Sequence, residues 1–515
     1  MMSRIRQRYG RLANPFRLTL GLIVALVADR TVLAADTPPN VVFIVTDNHG
    51  PWSLGCYGNP DIKTPNIDRL AERGTLFTRA FANNAVCSPT RATLLTGLMP
   101  SQHGVHSYLA GGGIQIGPRA YYTLKEFETL PGILVDAGYV AGLCGKWHLG
   151  DNLRPQDGMS YWVTKPTGHT TGFYNQPVIE DGKVRNESTY TTDFWTDHAL
   201  RFMEQNKERP FFLYLAYNGP YALAGAMKEP IRNRFREVYA DQELPSFPRT
   251  EPQPWNRNQG MIGNLAVLRK YAAEVSGVDD GVGRVVEKLE QLGLTDKTLI
   301  VFTADQGTSC GHAGYWGMGD HTRPHSLFDW TLTVPLIFTH PGVIKAGQRV
   351  DKLISNYDIL PTMLSQLGLA AKLPASPKLP GRDASAFLRG EQPEWENVHF
   401  AEFQQLRGIR TDQWKYIERF HESPAVELYD VTADPDEHHN LADVPAHAAA
   451  IGSLRDRLHG FFKQYSEPKW DLWQGGWSKS EMTTDVFGPK RQLIPGAGDD
   501  ESKPPAQPKM PPKTD

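Results

Sequence analysis

One pentapeptide, Cys87-Ser88-Pro89-Thr90-Arg91, combines a nucleophilic side chain, a helix-start signal and a cation. Pro89 suits the first turn of a helix, where its missing N–H costs nothing. A helix beginning at Cys87 presents unpaired N–H groups and partial positive charge, which favours an anion beside the thiol. Arg91 lies one turn further on and can point back toward it. A structural reading is equally open: a buried cysteine at a helix start, next to an arginine in an ordinary ion pair.

Two further stretches offer oxygen ligands. Asp47-Asn48 follows the apolar run NVVFIVT, and Asp305-Gln306 follows TLIVFT. Four oxygen donors at two strand ends suit a hard divalent cation, calcium or magnesium. An Asp after a strand is more often a loop or capping residue, so this pattern alone decides little.

The elements that must position these groups alternate in type. Runs 40–46, 139–142, 210–216, 298–303 and 334–338 read as buried strands. Helical patterns occupy 64–73, with Thr64 as N-cap and Pro65 at the first helical position, then 130–137, 264–292 and the stretch from Asp358. This rhythm predicts an α/β fold: a mainly parallel central sheet with helices on both faces. Ligands in such folds sit at the carboxyl ends of strands. Beyond about residue 380, short strands at 398–403, 406–409, 414–417 and 426–429 predict a small C-terminal antiparallel sheet with a helix over 446–465 packed on it. The organisation expected is a leader over 1–35, a catalytic α/β domain over 36–380, an α+β subdomain over 381–487, and a disordered Pro/Lys-rich tail over 488–515.

Bulk properties exclude more than they assign. A net charge of −3 over 515 residues gives no reason to expect nucleic acid as a partner. Arginines at 4, 6, 8, 11 and 17 precede the apolar run LTLGLIVALVA and the small residues Ala34 and Ala35. That is the pattern of a secretory signal peptide, so the chain is expected to be exported, periplasmic or secreted, without stable membrane insertion. An uncleaved anchor and a poorly chosen start codon are the other readings of that segment. Four cysteines, Cys56, Cys87, Cys144 and Cys310, are too few for a disulfide scaffold and match no zinc spacing.

The pentapeptide also sits inside a longer similarity. CSPTRATLLTG resembles the signature of the formylglycine-dependent, arylsulfatase-like sulfatases of the alkaline-phosphatase-like superfamily. TPNIDRLAERG before it, GKWHLG (Gly145 to Gly150) and TADQG after it, and LYDVTADPDEHHNLA (Leu428 to Ala442) follow in that family's order. The resemblance implies oxidation of Cys87 to formylglycine by a separate maturation enzyme, and attack of a hydrate hydroxyl on sulfur with release of alcohol, then sulfate. It implies a divalent cation, Ca2+ first and Mg2+ second, at Asp47, Asn48, residue 87, Asp305 and Gln306. Arg91 would fix the hydrate, and Lys146 and His148 would bind sulfate and handle protons. His103, in SQHGVHS, reads as structural. The substrate implied is a sulfated small molecule or glycan.

Three departures stand out. The cation site carries amides at Asn48 and Gln306 where the family more often has acidic residues, or Asn or His, so a weaker hold on the metal is expected. Tyr221 occupies the position of a histidine near the ester oxygen, and a phenol with pKa near 10 is a weaker proton donor. The lysine expected between Gly311 and Asp329 is missing. His312, His321, Arg323 and His325 lie there instead, with His321 and Arg323 the first choices for the missing donor. Two other functions remain open: a phosphodiesterase or phosphonate monoester hydrolase using the same nucleophile, and a non-catalytic sulfated-glycan-binding relative.

Overall fold

The computed structural model describes residues 38–110, 113–480 and 487. The leader and the tail expected from the sequence lie outside the described residues. Ten strands form one mixed sheet: β1 (Asn40–Asp47), β2 (Thr75–Phe81), β3 (Val140–Gly145), β4 (Tyr161–Thr164), β5 (Gln176–Glu180), β6 (Lys183–Glu187), β7 (Phe211–Pro220), β8 (Thr298–Ala304), β9 (Thr333–Thr339) and β10 (Gln348–Ser355). Their order is β10-β2-β9-β8-β1-β7-β3-β4-β5-β6, and only β9 and β5 run against the rest.

The run NVVFIVT forms the middle of this sheet because both its faces are covered. Val42 and Ile44 pack into the core under the helices Pro65–Glu72, Thr191–Asn206 and Leu265–Gln291. Val41, Phe43 and Val45 pack into the opposite core, under Cys87–Thr96, Leu130–Asp136 and Ile359–Gln366.

The helix Pro65–Glu72 is capped differently from the sequence expectation. The Thr64 hydroxyl accepts from Gly55 N–H at 2.9 Å and donates to Asp68 at 3.1 Å, so it does not cap the helix. Asp279, on the helix Leu265–Gln291, accepts from the free N–H groups of Asn66 and Ile67 at 3.0 and 2.8 Å. A tertiary carboxylate thus does the work that the sequence assigns to a local hydroxyl.

The second sheet is antiparallel, in the order β11 (His399–Phe403), β12 (Leu406–Arg410), β13 (Trp414–Arg419) and β14 (Val426–Asp430), with the helix Ala448–Tyr465 against it. It meets the large sheet's end through Glu402, whose N–H donates to Asn83 O at 2.8 Å and whose carboxylate accepts from Ser101 N–H at 2.7 Å. Among the described residues no helix is long and apolar enough to cross a membrane.

Candidate active site

Five neighbouring parallel strands, β8-β1-β7-β3-β4, deliver functional side chains at or just past their carboxyl ends: Asp305, Asp47, Tyr221, Lys146 and Lys165. Adjacent parallel strands end at one edge, which brings residues from 47 to 305 into contact. The helix Cys87–Thr96 starts above that edge with Cys87 as its first residue. The backbone N–H of Tyr221 donates to Asp47 O at 3.0 Å, and Asp305 N–H donates to Thr46 O at 2.9 Å, locking the ends together.

The cavity above holds about 430 Å³, with Cys87, Lys146, His148, Tyr221, His321 and Arg323 among its walls. Beneath it Asp47, Asn48, Arg91, Asp305 and Gln306 are fully buried. Arg91 is the hub: Nε and a terminal nitrogen meet Asp305 Oδ2 at 2.9 and 2.8 Å, another terminal nitrogen donates to Lys146 O at 3.0 Å, and Asp47 Oδ2 lies 3.8 Å away. Lys146 Nζ contacts Asp47 Oδ2 at 2.5 Å. The Cys87 thiol sits 3.7 Å from Asp47 Oδ1. Burial first, then Asp47, raises the Asp305 carboxyl to about 6, against the pull of Arg91 and Lys146. Burial, and after it Asp47, pushes the Cys87 thiol far up.

Asp47, Cys87 and Asp305 converge within 4.8 Å. The Asn48 side-chain oxygen accepts from Gln306 Nε2, and that same nitrogen lies against Cys87. Two carboxylates and an amide oxygen are donors that a hard cation accepts. Gln306 differs from the expectation: its nitrogen, not its oxygen, faces Cys87 Sγ at 3.3 Å, while Oε1 accepts from Thr90 at 3.3 Å. Met318 Sδ lies 3.1 Å from that nitrogen, so a thioether fills the stretch that lacks lysine.

Three residues here hold left-handed backbone that non-glycine residues seldom adopt: Asn48 (φ 55°), His148 (φ 60°) and Tyr221 (φ 48°). Each costs on the order of 1–3 kcal/mol, offset by the surrounding contacts. His148 donates from Nε2 to Leu109 O at 3.0 Å, and Nδ1 is left buried without a partner. Burial, with Lys146 next, holds this imidazole well below its usual pKa, so it is neutral and offers a lone pair.

The remaining candidates divide. His321 approaches Asp320 at 2.7 Å through Nδ1, and Arg323 donates to the carbonyls of Asp320 and Thr322 at 2.6 Å; both line the cavity, as does His325. His312 is not among the lining residues and stacks on Trp330 with centroids 3.7 Å apart. His103 is buried between the Thr93 hydroxyl and Val105 N–H, as its structural reading expects. Trp162, Phe173 and Trp195 are buried in the core.

Sequence reasoning missed Tyr108, Lys165, His169, Arg257 and Asp320. His169 Nδ1 lies 3.4 Å from the Tyr221 hydroxyl, returning an imidazole to the neighbourhood from which the sequence had removed one. Lys165 is buried beside Lys146, and burial with that charge lowers its amine to about 7. Only the short apolar run of β4 hinted at a strand end here.

The chain matches the family model described as Sulfatase over residues 39–369, and that of the N-sulphoglucosamine sulphohydrolase C-terminal region over 316–464. It is 26% identical to an N-acetylglucosamine-6-O-sulfatase of Bacteroides thetaiotaomicron, over 83% of this chain and 87% of that protein. It is 30% identical to the N-acetylgalactosamine-6-sulfatase of Mus musculus, over 72% and 69%. A structure solved in complex with its substrate, D-glucosamine-2-N,6-O-disulfate, superposes with TM-score 0.67 at 25% identity, over 83% and 98%. A phosphonate monoester hydrolase of Agrobacterium radiobacter shares the fold, with TM-score 0.63 at 23% identity over 83% and 96%.

Proposed function

The chain belongs to the sulfatase family, and on that premise we propose that it hydrolyses sulfate esters of saccharides with a nucleophile built on residue 87. The observation that carries this reading is the convergence of Asp47, Cys87 and Asp305 within 4.8 Å at the floor of a cavity that Lys146 and His148 also line. Oxidised to formylglycine by a maturation enzyme, residue 87 supplies a hydrate hydroxyl, and a bound Ca2+ or Mg2+ supplies Lewis acidity.

The chain's own residues then divide the work. Asp47, Asp305 and Asn48 hold the cation. Arg91 offsets the charge of both carboxylates and keeps them apart from each other's repulsion. Lys146 binds a sulfate oxygen, and the free Nδ1 of His148 accepts the proton that the nucleophile gives up. On the leaving-group side, burial pushes the Tyr221 phenol further up, so Tyr221 donates a hydrogen bond rather than a proton. His321, 2.7 Å from Asp320, is the acid we assign to the ester oxygen. The leader pattern at residues 1–35 supports export to the periplasm or the medium.

The test uses protein co-expressed with a formylglycine-generating enzyme. Aryl sulfate, sugar sulfates, a phosphodiester and a phosphonate monoester are assayed in parallel, with Ca2+ and with chelator. Turnover of sulfates that chelation suppresses is expected. Faster turnover on phosphorus would move the assignment to a phosphonate or phosphodiester hydrolase; saturable glycan binding without turnover would make the protein a binding relative.

The cation site gives a separate prediction. Asn48→Asp adds a carboxylate to a site with two, and is expected to tighten Ca2+ binding about tenfold or more. Calorimetric titration of the apoprotein measures this. Equal affinity in the variant would remove position 48 from the ligand set.

A further inference from the structure

The cations at the floor of the cavity are paired, but two at its mouth are not. Arg91 and Lys146 face Asp305 and Asp47. Arg257 and Arg323 make no ion pair among the described residues: Arg323 donates only to backbone carbonyls, and the one carboxylate lining the cavity, Asp320, is met by His321 at 2.7 Å.

These two arginines are held by a built element, not by loose loops. Arg257 N–H donates to His321 O at 3.2 Å, Arg323 N–H donates to Trp255 O at 3.2 Å, and Asn256 bridges Thr322 between them. Side chains alternate across such an antiparallel ladder. Asn256 and Thr322 turn inward and are buried, while Arg257, His321 and Arg323 all line the cavity. Tyr108, from another loop, senses the ladder: against burial and Asp320, which raise its phenol, Arg323 and Arg257 both pull it down. In this register Arg257 faces His321 and Arg323 faces Trp255, so the two arginines are diagonal neighbours on one face of the ladder. An anion reached by both guanidiniums accepts charge-assisted hydrogen bonds from each.

We infer that Arg257 and Arg323 form a second anion-binding locus, so that the preferred substrate carries another sulfate or a carboxylate besides the ester that is cleaved. This rests on the sulfatase reading of the same cavity and assigns its substrate class: an anionic saccharide rather than a singly sulfated, otherwise neutral one. Arg257 is a specificity residue in this scheme, distant from the nucleophile in role.

The experiment measures kcat/KM of the matured enzyme on three saccharides: a monosulfate, the same sugar with a second sulfate, and a monosulfate linked to a uronate. Wild type is expected to prefer one or both dianionic substrates by roughly 10- to 100-fold, the weight of a charge-assisted hydrogen-bonded pair. Which arm shows the preference identifies the anion. In Arg257→Ala that ratio is expected to collapse, mainly through KM, and Arg257→Lys is expected to restore part of it. A ratio identical in wild type and Arg257→Ala, or no preference in wild type, overturns the inference. If no sulfate at all is cleaved, the hydrolase reading fails on its own. Calorimetric affinities of the same saccharides for wild type and Arg257→Ala then decide the locus, and equal affinities overturn it.

Discussion

Cys87→Ala is expected to abolish sulfate-ester turnover, lowering kcat by on the order of 10^6, the penalty for deleting a nucleophile from an intact site. The fold should survive. The change removes one buried heavy atom, at a cost of about 1 kcal/mol, and the helix Cys87–Thr96 keeps its other packed residues. The melting temperature separates loss of chemistry from loss of structure. Mass spectrometry of the tryptic peptide from Ala80 to Arg91 supplies the second half of the test. A wild-type peptide lighter by the exchange of thiol for aldehyde ties the lost activity to a modified residue 87. An active Cys87→Ala variant would move the nucleophile elsewhere.

Arg91→Met is expected to cost both stability and activity. The guanidinium is fully buried and holds Asp305 through contacts at 2.9 and 2.8 Å. Removing it strands that carboxylate without its partner, which costs about 3–5 kcal/mol. Activity should fall roughly 10^2- to 10^3-fold, as when a charge-stabilising donor is lost. The pH dependence has a definite sign. Burial already raises the Asp305 carboxyl to about 6, above its unfolded value near 4, and losing Arg91 raises it further. The folded variant therefore binds more protons than the unfolded chain above pH 4, and its stability declines as pH rises from about 4 through the folded value. Denaturation in chelator at pH 5 and pH 7.5 should show a smaller deficit at pH 5. The double variant Arg91→Met with Asp305→Asn should recover stability, because no unpaired charge remains, but not activity. Equal deficits at both pH values would exclude the stranded carboxylate as the cause.

The parts of this protein legible in its sequence are those where local pattern and burial coincide. NVVFIVT and TLIVFT are apolar on both faces because they are central strands, and their acidic ends meet at the candidate cation site. The pentapeptide at Cys87 announces both the helix start and the arginine that reaches both carboxylates. Strands β5 and β6 and the helix Thr191–Asn206 were not anticipated, and β6 has none of the apolar alternation that signals a strand, since it is an exposed edge.

Other parts of the cavity wall were decided by tertiary structure alone. His169 reaches Tyr221, a short ladder puts Arg257 opposite His321 and Arg323 opposite Trp255, and Phe403 and Gln404 line the cavity from the second sheet. None of these belongs to a periodic pattern, because each side chain is placed by which loops meet above the sheet. The sequence by itself placed the residues of the candidate reaction centre, since they sit on strand ends and a helix start whose patterns are local. The folded chain decided which further residues join them around the cavity, because those contacts link segments far apart in sequence that only the strand order brings to one edge.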